Sequence, residues 1–140
     1  MSQFTHILFA TDHTELSKNI ASKVKKLAEL YGAKISLITV LEHATALGYP
    51  GISDVESPVS EQLQLAMAEL GDKLQVPRKR QYIVFGSVKD QVLSHADSLH
   101  ADLLVVGSHG RHGLSRLLGS SANAIVNGAQ CDVLLLRPPE

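Results

Sequence analysis

The chain has 140 residues, 44% of them hydrophobic and 19% charged, which is the size and balance of one globular domain, here taken as 1–140. A formal net charge of −1 supplies no overall field toward DNA or an anionic membrane, and 4% aromatic residues with no tryptophan offer no stacking platform for single strands. The single cysteine, Cys131, excludes an intrachain disulfide and fits a reducing cytoplasm, and no apolar run approaches the ~20 residues of a membrane-spanning helix.

Residues 1–6 lead directly into an apolar run and lack the charged and apolar regions of a secretory signal. The first strand is expected at Ile7-Leu8-Phe9-Ala10, ending in Thr11-Asp12. Leu16, Ile20, Val24, Leu27 and Tyr31 then recur at steps of three or four, the stripe of an amphipathic helix. Lys18, Lys23, Lys25 and Lys26 fall off that stripe and read as a solvated face. A second strand covers Ile35 to Leu41. The segment from His43 to Glu56, with Gly48, Pro50 and Gly51, reads as a long irregular loop, either a lid or a variable surface excursion.

Val59, Leu63, Ala66, Met67, Leu70 and Leu74 form a second helical stripe, expected to start with Ser57 as N-cap and Pro58 at the first helical position. Tyr82 to Phe85 is a third strand. Ser87, followed by Asp90 at the third helical position, signals an N-terminal cap for a helix carrying Val88, Val92, Ala96 and Leu99. Leu103 to Val106 is a fourth strand, and a short helix from about Ser120 to Asn127 stops at Gly128. Cys131 opens the last strand, Val133 to Leu136, as a small apolar filler.

Most of these strands are continuously apolar, as strands covered on both faces are, and they alternate with helices. Right-handed crossovers then place helices on both faces of a parallel sheet. In such a sheet, ligands bind beyond the carboxyl ends of the strands, where the strand order reverses. Those ends are Thr11 and Asp12, Val40 to Glu42, Gly86, and Gly107 to Gly110.

The last of these belongs to the most informative segment of the chain. Val105-Val106-Gly107-Ser108-His109-Gly110-Arg111-His112-Gly113 continues through Leu114-Ser115-Arg116-Leu117-Leu118 to Gly119-Ser120-Ser121. Glycine lets an anion approach the main chain closely, and a helix start presents free N–H groups to it. Arg111, His112 and Arg116 add a local basic cluster. These features point to a phosphate-bearing ligand. The bland readings are a tight strand exit for Gly107 and Gly110, and a helix cap for Asp12. His109 and His112 lack a third ligand nearby and do not make a metal site. His6, His13, His43, His95 and His100 read as surface or rim residues.

On these residues the chain resembles the universal stress proteins of the UspA superfamily: Ala10-Thr11-Asp12 before a helix, Asp102 to Gly107 running into Ser108-His109-Gly110 and Gly119-Ser120, and a final strand closed by Arg137-Pro138. The resemblance implies a three-layer αβα fold with a five-stranded, mostly parallel sheet in the order 3-2-1-4-5, of the adenine nucleotide alpha hydrolase-like type. It also implies ATP as ligand, with Mg2+ entering only on the nucleotide. By position, Thr11, Asp12 and the backbone around Val40 would hold the adenosine. Val106 and Gly107 would line the ribose, and His109, Gly110, Gly119, Ser120 and Ser121 would surround the phosphates. The nucleotide-binding members carry Gly-x2-Gly-x9-Gly-Ser/Thr, whereas eight residues separate Gly110 from Gly119 here. One residue fewer displaces a loop N–H by about 3 Å unless Gly113 re-routes the chain through positive φ.

The implied function is an ATP-binding regulatory protein of a bacterial or archaeal stress response. It would be cytoplasmic and homodimeric through the edge strand Val133 to Leu136, since an open apolar edge invites pairing with its own copy. The alternative is a dimeric interaction module of the same fold that binds no nucleotide. No activated nucleophile or acid–base pair is legible, so no enzyme is expected, with slow ATP hydrolysis left open. The segment after strand one, Asp12-His13-Thr14-Glu15, lacks the loop of adenylating relatives and of flavodoxins. Phe85-Gly86-Ser87 lacks the aspartate of a receiver domain.

Overall fold

The computed structural model describes residues 4–11, 15–41, 60–107 and 121–136. Its strands are β1 (His6–Ala10), β2 (Lys34–Leu41), β3 (Gln81–Phe85), β4 (Leu103–Gly107) and β5 (Asp132–Leu136). Its helices are α1 (Glu15–Tyr31), α2 (Glu61–Leu74), α3 (Val88–Ser98) and α4 (Ser121–Gly128), with a 3-10 turn at Arg78–Arg80. The strand order is β3-β2-β1-β4-β5, and all four neighbouring pairs run parallel. The sheet is thus parallel throughout its described strands.

Strand periodicity divides the core in two. Ile7, Phe9, Ile35, Leu37, Leu103 and Val105 face α1 and α2, where they meet Ile20, Val24, Met67 and Leu70. Leu8, Ile38 and Leu104 face the other way, onto Val92 and Ala96 of α3 and Ile125 of α4. Each fully buried Leu, Ile or Phe contributes about 1.5–3 kcal/mol by leaving water, so the three central strands are the thermodynamic centre of the molecule. The edge strands β3 and β5 are only half covered, and Phe85 and Leu135 remain exposed.

Helix starts follow local side-chain chemistry. Ser87 caps α3, its hydroxyl accepting the Asp90 N–H at 3.1 Å, as the spacing predicts. For α2 the cap is Ser60, not Ser57: the Ser60 hydroxyl accepts the Leu63 N–H at 3.1 Å. Ser57 and Pro58 lie outside the described residues, as does the expected loop from His43 to Glu56. Both serines satisfy the same capping preference, and the hydrogen-bonded one stands three residues later in the chain. The α2 stripe is buried at Met67, Leu70 and Leu74, and it extends to Gly71 and Val76.

His6 also departs from expectation. It is not a surface residue but is 5% exposed, inside the amino end of β1. Its Nε2 lies 2.7 Å from the Ser36 hydroxyl and its Nδ1 3.1 Å from the Leu99 carbonyl. The carbonyl can only accept, so Nδ1 carries the proton and Nε2 accepts from Ser36. Two good partners make burial of an imidazole tolerable. Lys25 is likewise half-buried instead of lying on a solvated face, and Cys131 stands half-buried just before β5.

Candidate functional site at the carboxyl rim

Parallel register brings the strand ends together. Ala10 pairs with Ile38 of β2 on one side and with Val106 of β4 on the other. The order reverses between β1 and β4, so their carboxyl ends flank the crevice in which open α/β sheets bind ligands. Neighbouring strands stand about 4.8 Å apart, so the residues that follow Ala10 and Val106 leave the sheet side by side.

Thr11 is held firmly at this point. It is buried; its N–H donates to the Ile38 carbonyl at 3.0 Å, and its own carbonyl accepts the Thr39 hydroxyl at 3.0 Å. Thr39 was not singled out from the sequence. The available signal was a hydroxyl residue inside an otherwise apolar run, a group that must find a partner when buried. Together the two bonds fix the direction in which the chain leaves toward Asp12.

Val40, half-buried at the end of β2, packs with Val84 against the core shared with α3 and α4. Val106 is buried and Gly107 closes β4, paired with Leu136. On the far side of Val40, Gly86 turns the chain out of β3 at φ +138°, a conformation reserved for glycine, and its N–H donates to the Leu41 carbonyl at 2.9 Å. Thr11, Val40, Val106 and Gly107 therefore share one rim at the switch point of the sheet. Ser121 begins α4. Asp12, His109, Gly110, Gly119 and Ser120 lie outside the described residues, as do His13, His43 and His112.

Among the described residues no group of three or more His, Cys, Asp or Glu side chains gathers to hold a metal. The titratable groups displaced from their ordinary behaviour sit at the opposite end of the sheet. Burial, then Lys34, lowers the His6 pKa, with Arg80 adding to both and the Leu99 carbonyl and Asp102 opposing. Burial, reinforced by Asp132, Asp97 and Asp102, raises that of Cys131, which keeps the thiol protonated and unreactive.

A sequence model of the universal stress protein family matches residues 3–137. The chain belongs to the universal stress protein family. Universal stress protein A homolog 1 of Coxiella burnetii is 36% identical over 136 residues, 94% of each chain. Among solved structures, universal stress protein UspA from Lactobacillus plantarum superposes with a TM-score of 0.76 at 21% identity, covering 98% of this chain and 100% of that one. A universal stress protein in complex with cAMP superposes with a TM-score of 0.68 at 22% identity, over 96% and 98% of the two chains. The expected strand order and fold type of universal stress proteins are therefore those observed. No described helix is long and apolar enough to cross a membrane.

Proposed function

We propose that this universal stress protein is a regulatory, non-enzymatic protein of the cytoplasm that binds an adenine nucleotide, ATP, at the carboxyl rim. The observation that carries this reading is the register of β1 and β4, Ala10 against Val106, at the reversal of strand order. It sets the chain that continues into Asp12 beside the chain that continues into the glycine-rich segment 107–121. The reading is supported by half-buried Val40, which offers apolar surface at the rim, and by Gly107, which would let a sugar or phosphate approach the main chain. A solved relative of the same fold is in complex with cAMP, which supports an adenine nucleotide as the ligand class. Asp12 would hold the adenosine end. His109, Gly110, Gly119, Ser120 and Ser121 would surround the phosphates, whose charge Mg2+ would share.

A homodimer through β5 belongs to the same reading. β5 is a sheet edge, and Leu135 on it and Val126 on the adjoining α4 are exposed apolar side chains. An exposed apolar edge strand is a template for a second copy. Nucleotide-dependent change in that dimer, or in a partner bound to it, is the regulatory output.

The test is titration of the purified protein with a fluorescent ATP analogue, with mass spectrometry of any nucleotide that co-purifies. Saturable binding at micromolar ligand, about −8 kcal/mol, supports the reading. No saturation up to millimolar ligand leaves the alternative, a dimeric interaction module in which the eight-residue Gly110–Gly119 spacing has closed the phosphate site. Unchanged ATP after long incubation excludes turnover.

A further inference from the structure

At the end of the sheet opposite the rim lies a cleft of about 220 Å³. Its lining includes Lys25 and Glu29 of α1, Gly32 in the turn, Lys34 at the start of β2, Leu74 at the end of α2 and Arg80 ahead of β3. A drug-sized ligand wants roughly 300–1,000 Å³, so this space suits a smaller group.

One of its cations is tied into the fold by its side chain and a second by its backbone. The Arg80 Nε donates to the Ile35 carbonyl at 3.0 Å, which uses one guanidinium N–H of five and fixes the plane of the rest. The Lys34 N–H donates to the Thr5 carbonyl at 3.0 Å, and Lys34 pairs with His6 across β1 and β2. Lys25 lines the same cleft from α1. Among the described residues none of the three makes an ion pair.

Glu29 and the carboxyl ends of α1 and α2, about half a negative charge each, offset part of this charge and leave about one positive charge in excess. Arg78 and Lys79, exposed on the same 3-10 turn as Arg80, extend the field outward. Converging like charges repel, and a chain of net charge −1 is not compelled to concentrate them. His6 behind the cleft senses the same excess, since Lys34 and Arg80 both disfavour its protonation.

We propose that this cleft is a second anion site, separate from the carboxyl rim, that takes a phosphate dianion, either inorganic or the terminal group of a small phosphomonoester. The Arg80 fork supplies planar donors matched to two phosphate oxygens, and Lys34 and Lys25 supply point charges.

The experiment is amide NMR of the full chain titrated, at constant ionic strength, with inorganic phosphate, glycerol phosphate or chloride. The proposal expects saturable millimolar shifts at Gly32, Ala33 and Lys34 with either phosphate and not with chloride, and movement of the His6 titration to higher pH. Lys34→Gln, at an exposed side chain, is expected to weaken the phosphate response at least tenfold. Tighter binding of glycerol phosphate assigns a monoester, and tighter binding of inorganic phosphate assigns the free ion. Shifts no larger than with chloride, or an unchanged response in Lys34→Gln, overturn the proposal. Shifts confined to Gly107 and Ser121 also overturn it and leave the nucleotide reading standing.

Discussion

Asp102 and Thr5, 97 residues apart, are joined by three hydrogen bonds. The Thr5 N–H reaches both carboxylate oxygens at 3.1 and 2.9 Å, and its hydroxyl reaches one of them at 2.9 Å. The His6 N–H donates to the same carboxylate at 3.0 Å. One side chain at the entry of β4 thereby fixes the entry of β1, its neighbour in the sheet.

Partial burial alone raises the Asp102 pKa, but the N–H groups of Thr5 and His6 and the Thr5 hydroxyl outweigh it and hold the carboxyl below its ordinary 3.8. A lowered folded value means that the stabilisation is complete above about 3.8 and disappears as pH falls through the folded value. Asp102→Asn should lose about 1.5–3 kcal/mol, the usual worth of hydrogen bonds to a charged group. Urea denaturation at pH 7 reads the loss, and the variant should lose less further stability than the wild type between pH 5 and 3.

His6 works in the next pH range up. Its folded pKa lies below the ordinary 6.5, chiefly through burial and Lys34. The unfolded chain therefore takes up a proton that the folded chain refuses, and stability falls as pH drops below 6.5 toward the folded value. His6→Gln should be less stable at pH 7.5 and should show a flatter decline to pH 5.5. A decline as steep as that of the wild type would assign the pH dependence to other groups. Ser36→Ala, which leaves Nε2 buried without its donor, should cost about 1–3 kcal/mol.

Gly71 couples α2 to β3. A Cβ there would collide with the Gln81 side-chain amide and come within 3.0 Å of the Val76 carbonyl. The Gln81 Nε2 donates to that carbonyl at 2.9 Å. Alanine gains about 0.8–1.0 kcal/mol of helix propensity over glycine and here displaces a bond worth about 0.5–1.5 kcal/mol. Gly71→Ala should be destabilising alone and less so in a Gln81→Ala background, where only the 3.0 Å approach to the Val76 carbonyl remains. Additivity of the two changes in a double-mutant cycle would count against the coupling.

For the proposed nucleotide site, Gly113→Val tests whether the shortened segment depends on a glycine between Gly110 and Gly119. Binding of the fluorescent ATP analogue should weaken at least tenfold, with the circular dichroism spectrum and melting temperature unchanged. Equal affinity in the variant would mean that the donors are delivered without that glycine.

What the chain discloses about itself depends on how far apart the interacting residues are. Ser87 and Asp90 sit three apart, and their cap is plain in the sequence. All five strands are apolar runs, found to within a residue or so, and their order follows from the universal stress protein resemblance. The start of α2 was misplaced because Ser57 and Ser60 are locally equivalent as caps. His6 looked like a surface residue because its partners, Ser36 and Leu99, stand 30 and 93 positions away. No periodicity carries that information. At the rim, Thr11, Val40, Val106 and Gly107 were legible because sheet topology alone assigns strand ends to one side. The Thr39 bond was missed because β2 must pair with β1 before the two threonines meet.

The reach from Thr5 to Asp102 also sets a timetable for synthesis. β1 emerges first, yet the neighbour that completes it, β4, follows 97 residues later along the chain. Until then a central strand, buried at four of its five residues, has one edge uncovered, the condition in which strands pair with the wrong partner. Closing so long a loop costs entropy before any contact repays it, which slows folding. A nascent chain truncated before Leu103 should therefore need a chaperone, whereas one that has passed Gly107 can bury its own first strand.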